Sequence, residues 1–388
     1  MKEKPELLVF SIYLMGGGAS FHKNMISNRP DDFFDIKCIY LNPLHWNAKR
    51  SDDVVLDENN IVFDFLDEPI NDVSSRLTKL ISEREGAVIT NFEYELATLS
   101  TYKKGKKTIF FICQDNAYIF LASKYNSIID VIITHNIAVY EEICKLLPKR
   151  TKDIYFIQHG VKVQNFTRNH NTENKLRLVF LARHVKLKGI YDLPKIDTEL
   201  KKRNVDVEWI VLGDGEEKQN FMKEVKLKAN FNFLVPKTTE DLIEVLKEMD
   251  VYVLPSSLDG LPVSLLESMS VGCVPVVYNF SEGIKKVITS DIGFVVDKGD
   301  VEAMANKIEF LAKNREELVK KSNSCSLKIS QEFDIKKQSG QYFSLYRNYK
   351  KLKKNRYVKL KRILKKYLGY KYFRPIYGFG KSIVKNKF

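Results

Sequence analysis

Cysteine is scarce in this chain of 388 residues: there are five, Cys38, Cys113, Cys144, Cys273 and Cys325. Their odd number, wide spacing and lack of any C-x-x-C pair argue against a disulfide framework or a cysteine-held zinc and favour a reducing compartment. Long apolar runs are missing too. Nothing approaches the roughly 18 apolar residues of a bilayer-spanning helix. The opening MKEKPELLVFSIYLMGGG puts polar and acidic residues before a short apolar run and has no clear cleavage site, so it reads as a first core strand. No Asp-x-Asp motif occurs, so a metal bridging a diphosphate is not indicated and no metal site is expected. The last absence is local. Residues 347–388 hold 16 Lys or Arg and no Asp or Glu, so the net charge of +14 becomes −2 over the first 346 residues. The basic character belongs to the tail, which predicts an anionic partner for one segment rather than a generally basic molecule.

What is present is enough apolar residue, 44%, for two ordinary cores. Apolar strand-like runs fall at 7–14, 36–41, 87–90, 108–113, 131–134 and 154–157, with helical patterns between them, for example at 72–83 and 138–146. The second half repeats the alternation at 176–181, 207–212, 231–234, 251–254, 274–277 and 293–295. Strands alternating with helices predict parallel sheets covered on both faces. A polar link at 163–175 separates the halves, so we expect two Rossmann-like α/β domains facing a central cleft. The expected limits are 1–165 and 166–332, then a return helix at 333–349 that packs on the first domain, then a basic tail at 350–388.

The most informative stretch is 254–278, LPSSLDGLPVSLLESMSVGCVPVVY. Pro255-Ser256-Ser257 ends a strand, Asp259-Gly260 bends the chain, and Pro262 suits the first turn of a helix. Leu265, Leu266 and Met269 form its apolar face. Free N–H groups at Leu261 and Val263, on either side of Pro262 where this helix starts, would attract a phosphate. Glu267, further along, would accept hydrogen bonds from a pair of ribose hydroxyls. Asp259 and Glu267, separated by seven residues around Gly-Leu-Pro, resemble the acidic signature of family 4 retaining glycosyltransferases (glycosyl transferases group 1), which have the GT-B fold. There the first acid contacts the donor sugar and the second the nucleotide ribose. Asp259 stands where that signature has Glu.

The resemblance extends to other strand ends. In Leu181-Ala182-Arg183-His184-Val185-Lys186-Leu187-Lys188-Gly189, it implies that Arg183 and Lys188 stabilise a leaving nucleoside diphosphate. Gly213-Asp214-Gly215 resembles a turn lining the nucleotide pocket. Gly17 and Gly18, after the first strand, match a Gly-Gly pair beside the diphosphate. Gln158-His159-Gly160-Val161 resembles an Asn-Gly-Val segment that closes the first domain, with His159 in place of Asn. Gln114 and Asp115 occupy a place where the family often has a histidine reaching the donor sugar, and His135 ends another strand that could face the cleft, or could be a satisfied structural histidine.

The resemblance therefore implies a retaining glycosyltransferase that moves a sugar from a nucleotide sugar to a saccharide or lipid-linked saccharide, as in bacterial cell-envelope or capsular polysaccharide synthesis. UDP-sugars are favoured, GDP-sugars are possible, and no cofactor is expected. In the tail, Tyr357, Leu360, Leu364 and Tyr367 recur at helical spacing among lysines. This predicts a basic amphipathic helix that docks a cytoplasmic enzyme on the anionic inner face of the membrane, with no nucleic-acid partner expected. Two alternatives stay open: a nucleotide-sugar epimerase of the same fold, and a non-enzymatic binder of anionic surfaces or nucleic acid.

Overall fold

A computed structural model describes residues 3–14, 17–46, 50, 57–102, 105–166, 168, 175–281 and 283–354. Two parallel sheets form from them. The first runs β3-β2-β1-β4-β5-β6-β7 and the second β10-β9-β8-β11-β12-β13. Each reverses its winding beside its first strand, which opens a crevice at the carboxyl ends of the strands.

In the first domain the strands are β1 (Glu6–Ile12), β2 (Asp35–Pro43), β3 (Asn60–Phe65), β4 (Gly86–Thr90), β5 (Lys107–Cys113), β6 (Val131–Thr134) and β7 (Ile154–Phe156). The helices between them are α1 (Gly17–Ser27), α2 (Ile70–Thr78), α3 (Glu93–Thr101), α4 (Ile119–Lys124) and α5 (Ile137–Leu146). Neighbouring residues of β1 feed opposite cores. Leu8 and Phe10 pack with α2 and α3, and Leu7 and Val9 pack with Phe21 and Met25 of α1. A strand buried on both faces reads as an unbroken apolar run, which is why the central strands are legible in the sequence. The edge strand β3 was not anticipated. Paired only to β2, it is part-exposed over its first half and carries Asp64 outward, so its apolar signal is diluted.

The second domain has β8 (Leu176–Leu181), β9 (Val207–Leu212), β10 (Phe231–Leu234), β11 (Val251–Leu254), β12 (Val274–Tyr278) and β13 (Phe294–Val296). Its helices are α6 (Leu193–Lys202), α7 (Lys218–Glu224), α8 (Thr239–Lys247), α9 (Val263–Ser270), α10 (Ile284–Val287), α11 (Val301–Lys313) and α12 (Arg315–Glu332). One continuous core fills this domain.

The chain then returns. Val161 donates to the Phe333 carbonyl at 2.8 Å and accepts from the Ile335 amide at 3.0 Å, so the outgoing and returning crossings are hydrogen-bonded to each other. Asp334 caps α13 (Ile335–Arg347) by accepting from Lys336 N. Tyr342, Phe343 and Tyr346 of that helix belong to the first domain's core. Thirteen residues carry the chain about 20 Å, from the cleft side to the opposite edge of the sheet. There α14 (Tyr349–Leu352) docks: Thr108 at the start of β5 donates to the Tyr349 carbonyl at 2.8 Å, and Lys354 N donates to Asp130 at 2.9 Å. Lys350 pairs with Glu85 at 3.0 Å and Lys354 pairs with Asp153. The first residues of the expected tail are therefore part of the first domain's base. The amphipathic stretch containing Tyr357, Leu360, Leu364 and Tyr367 lies outside the described residues.

Candidate functional site

The cleft is assembled from strand ends. Beyond β11, Ser256 Oγ donates to the Leu187 carbonyl at 3.1 Å, and the Ser257 amide reaches the same carbonyl at 2.8 Å. Gly189 allows this approach, with φ of +73°; a Cβ there would fall 1.8 Å from the Pro255 carbonyl oxygen. Two loops that are far apart in sequence are thereby stitched together, and Lys188 Nζ lands on Asp259 Oδ2 in a close ion pair. Asp259 Oδ1 accepts from the Gly260 amide at 3.0 Å.

Helix α9 starts just beyond. Pro262 is its cap, in extended backbone conformation, and Val263 is the first helical residue. The sequence placed Pro262 inside the first turn, one residue later than the structure does. No side chain among the described residues caps this helix, which leaves its leading N–H groups to an anion. Glu267 lies about one turn further along. Its carboxylate has no hydrogen-bond or ion-pair partner among the described residues, and burial alone pushes it up to about 7. The group is half-buried by surface area, so it has lost much of its water without being sealed off. A partner that donates hydrogen bonds would hold it ionised.

Gly213 follows β9 with φ of +121°, and a Cβ there would sit 2.2 Å from the Ala182 carbonyl oxygen. This close approach packs the 213–215 turn on the 182–184 loop, where His184 N donates to the Asp214 carbonyl at 2.9 Å. Arg183 is exposed, with no side-chain partner among the described residues. His184, to which the sequence assigned no role, is fully buried; burial lowers its pKa, and the nearby Leu212 backbone offsets part of that fall.

Opposite stands the first domain. A Cβ placed on Gly260 would meet the Gln114 carbonyl oxygen at 3.5 Å and Asp115 Cβ at 3.7 Å, so Gln114 and Asp115 face the Asp259-Gly260 bend directly. Asp115 caps the turn after β5 by accepting from Ala117 N at 2.8 Å. Burial raises its pKa, and the nearby charge of Asp259 adds to the rise. Gln114 Nε2 reaches Asn91 Oδ1 at 3.3 Å, and Asn91 in turn meets His22 Nε2 at 2.9 Å. Asn91 and His22 were not singled out from the sequence; a polar residue just past the apolar strand β4 was the available signal. Gly17 and Gly18 open α1, which approaches α9 across the cleft.

His135 takes a different position. Its Nδ1 lies 2.9 Å from the Tyr342 hydroxyl, which donates its hydrogen to the Ile157 carbonyl at 2.8 Å. The hydroxyl must then accept from His135, which puts the ring proton on Nδ1. The structure thus brings His135 to the return helix, while Arg183, Lys188, Asp259, Glu267 and the 260–263 loop gather on the second domain's side of the cleft. Among the described residues no three metal-ligating side chains converge.

Two facing parallel-sheet domains of this kind are the GT-B architecture. Residues 162–326, which hold the second domain's half of the cleft, match the family described as Glycosyl transferases group 1. An uncharacterized glycosyltransferase of Haemophilus influenzae is 29% identical over 39% of this chain and 43% of its own length. The Staphylococcus aureus capsular polysaccharide biosynthesis glycosyltransferase CapM is 28% identical over 34% of this chain and 35% of its own. An Escherichia coli UDP-Gal:alpha-D-GlcNAc-diphosphoundecaprenol alpha-1,3-galactosyltransferase is 29% identical over 36% of this chain and 37% of its own. Each of these alignments spans less than half of the relative. Among solved structures, Anabaena HepE in complex with UDP and glucose superposes with a TM-score of 0.70 at 14% identity, over 88% of this chain and 99% of that one. That likeness concerns the fold. Together these are similarities to glycosyltransferases within the second half of the chain and to the GT-B fold over most of it.

Proposed function

We propose that this chain is a retaining glycosyltransferase that transfers a sugar from a nucleotide sugar to a saccharide or lipid-linked saccharide in bacterial envelope or capsular polysaccharide synthesis. The observation that carries the reading is the convergence of Lys188, Asp259 and the unpartnered Glu267 around the uncapped start of α9. In this reading Glu267 accepts from the ribose hydroxyls, while Arg183, Lys188 and the helix N–H groups take the diphosphate. To reach it, Lys188 leaves Asp259, whose freed carboxylate accepts from a hydroxyl of the sugar. The acceptor oxygen bonds to the anomeric carbon, the bond from that carbon to the diphosphate oxygen breaks, and the acceptor's proton leaves with the diphosphate. The positive groups act on charge that develops on the leaving diphosphate, which is where electrostatic catalysis contributes most. Uridine is favoured as the base because HepE holds UDP and a similar E. coli enzyme is named for UDP-Gal. A guanosine donor stays open, since a similar Xanthomonas oryzae enzyme is named for GDP-mannose. The basic residues beyond 354 are proposed to meet an anionic membrane surface, where a lipid-linked acceptor would reside.

The test is protection of the full chain against thermal unfolding by UDP-, GDP- and ADP-sugars, followed by transfer assays with the sugar that protects best. Glu267→Ala should weaken donor binding by about 1.5–3 kcal/mol, the scale of a charge-assisted hydrogen bond. Arg183→Ala should slow transfer more than it weakens binding. Wild-type affinity and turnover in both folded variants would sink the assignment, and conversion of the donor without any acceptor would point to an epimerase.

A further inference from the structure

Buried polar atoms without a partner are uncommon in folded proteins, and each asks what fills it. In the first domain several lie toward the carboxyl edge of the sheet: Ser11 Oγ, His22 Nδ1, Thr134 Oγ1 and His159 Nε2. His159 is distinguished by touching the second domain. The backbone of Leu261, in the loop that starts α9, and the carboxylate of Asp259 both lie near enough to act on its ring. The ring is only 7% exposed.

Its placement is rigid. The neighbouring Val161 is locked into the chain crossing by hydrogen bonds to Phe333 and Ile335. Gly160 has no room to shift, since a Cβ there would fall 2.6 Å from Ile335 Cα. The ring is walled by His135 at 4.9 Å and Phe21 at 6.3 Å between centroids. Burial lowers its pKa to about 4, so near neutral pH the imidazole has one N–H and one lone pair and forms no ion pair with Asp259. A neutral, directional group held at the seam beside the sugar-contacting carboxylate suits a hydroxyl better than a phosphate.

We propose that His159 is a specificity-determining residue for the glycosyl part of the donor, hydrogen-bonding through its free ring nitrogen to a hydroxyl of the sugar held at Asp259. In this arrangement the second domain holds the nucleotide and touches the sugar through Asp259, and the first domain adds a further contact to the sugar through His159. The inference rests on the nucleotide-sugar reading above and adds to it the side chain that discriminates between sugars.

The experiment is calorimetric titration of the full chain and its His159→Ala and His159→Asn variants. The probes are UDP, GDP and ADP beside their hexose and N-acetylhexosamine derivatives. In His159→Ala, affinity for the nucleotide sugar falls about tenfold, the loss of one buried hydrogen bond, while affinity for the bare nucleotide stays within about twofold. His159→Asn, which keeps a neutral donor and acceptor, recovers part of the loss. A merely structural role would weaken both ligands together or neither, and either result overturns the proposal. If His159→Ala does not fold, the same split between nucleotide and nucleotide sugar is read from His159→Asn and His159→Gln. A wild type that binds no nucleotide and no nucleotide sugar overturns the transferase reading itself. Nucleotide binding with unchanged sugar discrimination in the variants overturns this inference alone.

Discussion

In the cleft the Lys188 ammonium rests on Asp259, with side chains 15% and 18% exposed. The same ammonium is the group proposed to meet the diphosphate, so Asp259 competes with the donor for it. Asp259→Asn should therefore tighten UDP binding by about 1 kcal/mol, the scale of a partly covered ion pair, and slow transfer by removing the sugar contact. Titration with UDP and a transfer assay check the two effects; weaker UDP binding would count against competition. Buried titratable groups also set the pH dependence of stability. Glu95 and Glu267 are raised to about 8 and about 7 by burial, so their contribution is present at low pH and lost as pH rises through those values. His22 and His159 are lowered to about 4 by burial, so theirs is present above the ordinary histidine range and lost as pH falls through 4. Between the ordinary carboxyl and histidine values the two effects oppose each other, so thermal unfolding of the donor-free protein should show a stability plateau from about pH 4.5 to 6.5, with a decline on both sides. Glu267→Gln should flatten the alkaline side by on the order of 1–2 kcal/mol, allowing for its partial exposure.

At the scale of elements, α13 is the return strut. It is tied to the first domain by apolar rings and by two hydroxyls that satisfy buried carbonyls: Ser339 to Met25 at 2.8 Å and Tyr342 to Ile157 at 2.8 Å. Tyr342 also receives His135, so its hydroxyl serves two buried groups at once. Tyr342→Phe keeps the ring and orphans both, and should cost about 1–3 kcal/mol in urea unfolding. Because His135 and His159 share a ring contact of 4.9 Å, the same change should loosen the His159 seam and reduce affinity for a nucleotide sugar more than for the nucleotide. An unchanged midpoint in urea would show that water replaces the hydroxyl.

For the whole molecule, the two crossings meet at Val161 and Asp334, which locates the axis about which the domains would close on donor. Arg168 pins the link to the second domain through the Val271 and Lys247 carbonyls at 2.9 and 3.1 Å, so bending falls upstream of it. X-ray scattering should show compaction on saturation with donor. The tail departs from the first domain's base, at the edge of the sheet remote from the cleft. Truncation must therefore spare Lys354, whose backbone and side chain hold Asp130 and Asp153. A chain ending at Asn355 should keep its melting temperature and donor affinity yet lose salt-sensitive binding to anionic vesicles. Flotation equal to that of the full chain would rule out the membrane role.

By itself the sequence determined the parallel α/β alternation, the strands of the second domain and the acidic loop, because each rests on local pattern: continuous apolar runs, turn residues, and two acids at fixed spacing on one loop and helix. It left β3 unread, since an edge strand has one neighbour and a half-polar face. Tertiary structure decided which charges meet. Lys188 and Asp259 are 71 positions apart, and only the packing of Gly189 against Pro255 puts the ammonium on the carboxylate. The same holds for His135, a strand-end histidine in sequence that is held by a tyrosine 207 positions away, and for His159, whose place at the seam exists only because the returning chain clamps Gly160 and Val161. Side-chain partners across such separations depend on how whole layers stack, and no local periodicity records that.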